Sequence, residues 1–183
     1  GFKMNETKLK IRFFTIADYI EEEIWLRKMH NEGWKLVKMV PPCFYKFEKC
    51  EPEDVIYRLD FKDNTENPDY MKIMDDFGWE YTGKCVGWLY FRKSASAAEN
   101  ENEGEIFSDN ESRIEVIINV LKKRLLPIAV IFLLIVIPYT LHAITGIYSI
   151  GYKIFWALIF VLYVLLIFRT VIKFAKLKKS LKR

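Results

Sequence analysis

Histidine and cysteine are scarce in this chain of 183 residues, which has two histidines, His30 and His142, and three cysteines, Cys43, Cys50 and Cys85. No two cysteines form a Cys-x-x-Cys pair, and the histidines stand far apart. A zinc site draws about four nitrogen or sulfur ligands at short spacing, so no metal is expected. An odd cysteine number fits a reducing compartment better than a disulfide framework, and the three read as small buried hydrophobes. Also missing are a phosphate-cradling glycine loop, a Ser-His-Asp set and a kinase signature. No cofactor and no enzymatic activity are therefore expected. The first residues, Gly1 to Met4, lack the apolar run of an export signal.

Acidic residues are nearly missing from one end. Residues 111–183 hold 2 Asp or Glu against 12 Lys or Arg, whereas residues 1–110 hold 22 against 16. The formal charge of +4 is thus an acidic part added to a basic one. That asymmetry speaks against a uniformly basic nucleic-acid binder, and no aromatic-basic groove accompanies the tail, so no nucleic-acid partner is expected.

What the basic end does have is apolar length. Residues 125–144 contain no charge, and 20 residues of helix span about 30 Å, the thickness of a bilayer core. A second apolar run covers 154–172, with Arg169 near its end, where a long stem can reach the interface. Lys122, Lys123 and Arg124 precede the first run; Lys173, Lys176, Lys178 and Lys179 follow the second, in the tail 173–183. The connection 145–153 is uncharged until Lys153. Positive charge stays on the cytoplasmic side. The expectation is a plasma-membrane protein with two spans, both termini cytoplasmic, and these cations at the lipid surface. Pro127 falls in a first turn, where its missing N–H costs little, and Pro138 is placed to kink the first span.

Residues 95–111 are small, polar and acidic and read as a flexible linker. Ser112-x-x-Glu115 reads as a capping box. Residues 112–124 read equally as an amphipathic helix on the inner membrane surface or as an extension of the first span.

Residues 8–94 read as a cytosolic domain containing an internal repeat. Trp25–Trp34 aligns with Tyr70–Trp79 at an offset of 45 residues, matching Met29 with Met74, Gly33 with Gly78 and Trp34 with Trp79. Phe44–Lys49 aligns with Trp88–Lys93 at an offset of 44, and Ile11-Arg12-Phe13 resembles Tyr57-Arg58-Leu59. Each unit reads as strand, helix, strand, strand. Lys8–Thr15 is β-prone, Asp18 is placed to cap a helix that Gly33 ends, and Pro41-Pro42 forces a turn. In the second unit Pro68 opens a helix and Gly78 closes it, before a hairpin around Gly87. The expected fold is α+β: a duplicated β-α-β-β with six antiparallel strands in a sheet, two helices on one face, and a cleft at the junction on the other. A two-helix transmembrane hairpin follows it. The acidic runs Glu21–Glu23 and Asp75-Asp76 read as solvated helix surface, the first suited to a helix N-terminus.

The motifs KIRFFTIADY, EEEIWLRKMHNEGWKL, CFYKFEK, YRLDF, DYMKIMDDFGWEY and GWLYFRK resemble the bacterial membrane-protein family called domain of unknown function 2812, over roughly residues 8–94. The resemblance implies a cytosolic domain followed by membrane spans, often encoded beside PadR-type regulators, with no assigned activity. The doubled plan is also similar to the drug-binding domains of GyrI-like proteins. That resemblance implies an aromatic cleft holding an amphipathic cation against an acidic residue on a late strand. Trp88–Phe91 carries no such acid, so Glu48, Asp60 or Glu80 would have to replace it.

Six aromatic residues on expected strands, Trp34, Tyr45, Tyr57, Trp79, Trp88 and Tyr90, are the candidate ligand site. The same rings fit a plain core and helix–sheet seam. The expected function is a membrane-anchored, non-enzymatic sensing or regulatory protein whose cytosolic domain binds a small amphipathic ligand or a protein partner. The alternative is an accessory subunit of a membrane transporter or envelope-stress system.

Overall fold

A computed structural model of the chain describes residues 6–62, 67–99 and 110–181. They fall into two units, Gly1–Ser112 and Arg113–Arg183. The first contains β1 (Thr7–Ile11), α1 (Tyr19–Asn31), β2 (Trp34–Val40), β3 (Phe44–Lys49), β4 (Val55–Phe61), α2 (Pro68–Asp76), β5 (Glu80–Cys85), β6 (Trp88–Ser94) and α3 (Ala95–Glu99).

The strands form two antiparallel three-stranded sheets, ordered β1-β3-β2 and β4-β6-β5, rather than one sheet of six. β2 and β5 lie side by side where the sheets meet, with no ladder between them among the described residues. Both strands are irregular at the seam. The register of β2 slips between Leu36 and Lys38, and that of β5 between Tyr81 and Gly83. A bulge bends a strand and breaks the regular row of N–H and C=O groups that pairing would need.

The strand at the N-terminus is shorter than the sequence suggests, ending at Ile11, and a local turn follows at Thr15–Asp18. The Asp18 carboxylate accepts from the Thr15 amide at 2.8 Å and the Thr15 hydroxyl at 2.6 Å. Both bonds fall on Oδ2 of Asp18, which makes no side-chain cap bond to the helix. At the other end Gly33 adopts φ +83° and donates to the His30 carbonyl, and a Cβ there would lie 3.0 Å from the Cys50 carbonyl oxygen. α2 begins with Asn67 accepting from the Asp69 amide and Pro68 in the first turn, and the chain leaves it through Gly78 at φ +75°.

α1 lies between the two sheets. Its buried side is Tyr19, Glu22, Glu23, Leu26, Met29 and His30, a stripe at helical spacing. Trp25 packs edge-on against Tyr45 and Phe47 of the first sheet, and Tyr19 stacks on Trp88 of the second. The helix thus occupies one side of the junction between the sheets. α2 covers the opposite face of the second sheet, where Met74, Trp79, Leu89 and Phe91 form a core with Ile56, Tyr70 and Met71 against it. Burying each such Met, Leu or Phe is worth about 1.5–3 kcal/mol. A nine-residue helix is too short to persist by propensity, so packing holds α2 in place.

The acidic linker expected at 95–111 starts with the short helix α3, and residues 100–109 lie outside the described residues. Helix is present from Asn110, and the Ser112 side chain of the expected capping box lies outside the description. Residues 110–145 are helical, with π-helical turns at Leu121–Leu125 and Phe132–Val136. Each turn lies shortly before a proline, Pro127 and Pro138. A proline cannot donate to the carbonyl four residues back and its ring crowds that group, and a widened turn relieves both. After Gly146 the chain reverses into Ile150–Leu181. The two helices pack antiparallel through Phe132 against Phe160 and Tyr163, and through Tyr139 stacked on Trp156.

Candidate functional site

Two polar features inside the first unit and one apolar surface in the second are the places where chemistry gathers. The first is a buried carboxylate. Oε1 of Glu22, on α1, accepts from the Tyr45 hydroxyl of β3 and the Tyr90 hydroxyl of β6, each at 2.7 Å. Glu22 is 6% exposed. Burial raises its pKa above the usual carboxylate range, the two tyrosine bonds oppose that rise, and Asp18 adds to it. Both phenols are pushed well above their ordinary value, by burial first and then by the Glu22 charge. Its neighbour Glu23 is also buried: Oε1 accepts from the Leu59 amide at 2.8 Å, and Oε2 lies 3.3 Å from Arg58 Nη1. The acidic run read as solvated helix surface therefore sends two of its three carboxylates inward. Helical phase carried the signal, since Glu22 and Glu23 stand one turn from Tyr19 and Leu26.

The second feature is a cleft of about 380 Å³ lined by residues from both sheets and α1, among them His30, Lys35, Glu53, Glu80, Arg92 and Lys93. Arg92 forks onto Glu80 at 2.7 and 2.6 Å, and its Nη1 reaches the Leu36 carbonyl at 3.3 Å, bridging the two sheets. The Arg92 guanidinium holds Glu80 below the usual carboxylate range. His30 Nδ1 lies 2.8 Å from the Tyr57 hydroxyl, which in turn accepts from the Leu36 amide at 3.3 Å. The direction of the His30–Tyr57 bond follows the imidazole tautomer, since the phenol oxygen can accept from a second donor as well as give its own proton. Burial, then Arg92, lowers the pKa of His30, which favours the neutral ring. Cys50 also lines the cleft, and burial raises its pKa, which disfavours the nucleophilic thiolate.

The six rings singled out in the sequence do not share one cleft. Tyr45, Tyr57, Trp79 and Tyr90 are buried, while Trp34 and Trp88 are half-buried. Tyr45 and Tyr90 meet at Glu22, Tyr57 orients His30, Trp79 sits under α2, Trp88 stacks on Tyr19, and Trp34 carries Lys8 over its ring. None lines the larger cleft, and Tyr90 lines a smaller cavity of about 170 Å³ between β2 and β5. The acids weighed as cation partners go elsewhere. Glu48 pairs with Lys35 and Glu80 with Arg92, while Asp60 accepts from the Tyr70 hydroxyl. Glu22 and His30, set aside in the sequence as a solvated acid and a lone histidine, each bond to tyrosine hydroxyls from distant strands. No cluster of metal-ligating side chains is found among the described residues.

A family model described as protein of unknown function (DUF2812) matches residues 18–130, more than half of the chain. The chain belongs to this family. The match runs from Asp18, at the start of α1, to Val130, inside the first long apolar helix. The family's shared region thus takes in the α+β unit from α1 onward and the start of the apolar one. No curated protein and no solved structure matches the chain.

In this member two helices, Ile114–Thr145 and Ile150–Lys179, are long and apolar enough to cross a membrane. Their side chains are largely uncovered, with Leu134 71% and Leu165 60% exposed. The core helix of a soluble protein would be mostly buried. Lys122, Lys123 and Arg124 on the first helix, and Arg169, Lys173, Lys176, Lys178 and Lys179 on the second, fall toward the same end of the antiparallel pair.

Proposed function

We propose that this chain is a membrane-anchored, non-enzymatic sensing protein whose cytosolic domain holds a small polar ligand in the cleft between its two halves. The observation that carries the reading is the 380 Å³ cleft, lined by His30 and Lys35 from the first half and by Glu80, Arg92 and Lys93 from the second. Its size lies in the range of small-molecule sites. A ligand that touched both sets would change how the halves fit together, which is what a sensor needs. Cations and carboxylates are interspersed on the wall, so the ligand class that suits it is a small zwitterion. An amphipathic cation would need the smaller cavity beside Tyr90 to open toward Glu22.

The two halves are read as a duplicated β-α-β-β. Each has the same element order and sheet order, a left-handed glycine after its helix (Gly33, Gly78) and a register slip in the strand that follows (β2, β5). The two long helices are read as a plasma-membrane hairpin with both termini cytoplasmic. Eight Lys and Arg side chains gather at one end, and the connection at the other end is uncharged before Lys153.

The ligand reading is tested by calorimetric titration of the full chain in detergent with lysine, glutamate and tetraphenylphosphonium. Sub-millimolar binding of an amino acid that is lost in Lys35→Ala and Glu53→Ala supports it; no binding below millimolar by any of the three ends it. The topology is tested with an impermeant maleimide on intact cells. Ser149→Cys should label while the parent chain, with its three native cysteines, does not; labelling of both or of neither contradicts the assignment.

A further inference from the structure

The first sheet has one face packed on α1 and one face bare. Strand alternation puts Leu9 and Ile11 of β1, Phe44, Lys46 and Glu48 of β3, and Lys35, Lys38 and Val40 of β2 on the bare side. The ladder arranges them in three rows. Thr7, Glu48 and Lys35 form one, Leu9, Lys46 and Lys38 the next, and Ile11, Phe44 and Val40 the third.

The rows differ in chemistry. In the first, Glu48 is neutralised by Lys35 at 3.3 Å. In the second, Lys38 and Lys46 stand directly opposite each other and both are exposed. Like charges opposite one another in a ladder are destabilising, so the fold carries a repulsion there that an external anion would relieve. The third row is apolar, and the strip continues into Phe13. Leu9 is 62%, Ile11 65% and Phe13 73% exposed. Such a strip is costly to leave in water, and isolated exposed side chains do not make one.

We propose that this bare face docks on an anionic lipid surface, with Leu9, Ile11 and Phe13 entering the headgroup region and Lys38 and Lys46 on lipid phosphates. The proposal rests on the membrane reading of the two long helices. Charge complementarity favours lipid over a second copy of the chain. A second copy seated on the same face would set Lys38 and Lys46 against a like pair, whereas an anionic bilayer attracts each lysine near its surface. Residues 100–109 are the only part of the chain between α3 and the helix that starts at Asn110. At no more than about 3.5 Å per residue they keep the sheet within reach of any bilayer that holds the long helices.

The test uses the full chain with Phe13 replaced by p-benzoylphenylalanine, reconstituted in phosphatidylcholine vesicles with or without phosphatidylglycerol. After irradiation, lipid adducts at position 13 are quantified by mass spectrometry. Adducts should form in the vesicles containing phosphatidylglycerol and fall by roughly tenfold or more without it or in Lys38→Gln/Lys46→Gln. Carbonate washing of the same vesicles separates the two readings. A chain that stays in the bilayer but gives no charge-dependent lipid adduct overturns the docking face alone. A chain released by carbonate overturns the membrane reading, and the docking face with it. A chain-to-chain crosslink at position 13 in place of the lipid adduct assigns the face to a second copy and overturns the proposal.

Discussion

Tyr45 and Tyr90 come from different sheets and donate to the same oxygen, Oε1 of Glu22, each at 2.7 Å. One carboxylate on α1 thus ties both halves of the domain to the helix between them. Replacing it with Ala would orphan two buried hydroxyls at about 1–3 kcal/mol each. Glu22→Ala should therefore unfold several degrees earlier than the parent chain in a thermal melt followed by tryptophan fluorescence.

Glu22→Gln separates the charge from the hydrogen bonds. The folded pKa of Glu22 is raised above the ordinary glutamate value of 4.5. A raised carboxyl contributes stability that is present below the unfolded pKa and lost as pH rises through the folded value. Gln keeps an acceptor for both hydroxyls and carries no such loss. The variant should match the parent near pH 4.5 and exceed it in stability at neutral pH; urea unfolding at the two pH values checks this.

His30 gives the opposite slope. Its folded pKa lies below the ordinary histidine value of 6.5, so its contribution is present above pH 6.5 and lost as pH falls through the folded value. In Tyr57→Phe the Leu36 amide loses its acceptor and His30 Nδ1 its partner, at a cost of about 1–3 kcal/mol. His30→Gln should flatten the fall in stability below pH 6.5 relative to the parent, measured by urea unfolding across that range.

Gly33 and Gly151 make a controlled pair. Gly33 has φ +83° and a Cβ there would sit 3.0 Å from a backbone oxygen, whereas a Cβ on Gly151 meets nothing within 4 Å. Gly33→Ala should cost about 1–2 kcal/mol from the left-handed backbone alone, plus the carbonyl contact. Gly151→Ala, inside a helix, should be neutral or slightly stabilising. The midpoints of the two melts check the contrast.

Leu134 probes the long helices. It is 71% exposed in the middle of the first one. If that helix crosses a bilayer, Leu134→Asp costs about 2.5–3.5 kcal/mol of insertion. The variant should then appear in the carbonate-soluble fraction, while Leu134→Phe stays with the membranes.

Much of this architecture follows from short-range chemistry. An uncharged run long enough for a bilayer, a glycine that must take positive φ at a helix end, a proline in a first turn and the alternation of 34–40 each depend on a few neighbouring residues. For that reason the six strands, α1, α2 and the two apolar helices are legible in the sequence by itself, to within a few residues. Tertiary structure alone decided that the strands form two sheets, that α1 lies between them, and that Glu22 and Glu23 point inward to Tyr45, Tyr90 and the Leu59 amide. These are encounters between residues far apart in the chain. Local charge read the acidic start of α1 as solvated, because nothing within one helical turn shows that two phenols and a backbone amide from distant strands are waiting to satisfy it. The six aromatic residues were recognisable as strand rings, but whether a ring lines a cleft or fills a core depends on what packs against it, and here that is α1 and α2.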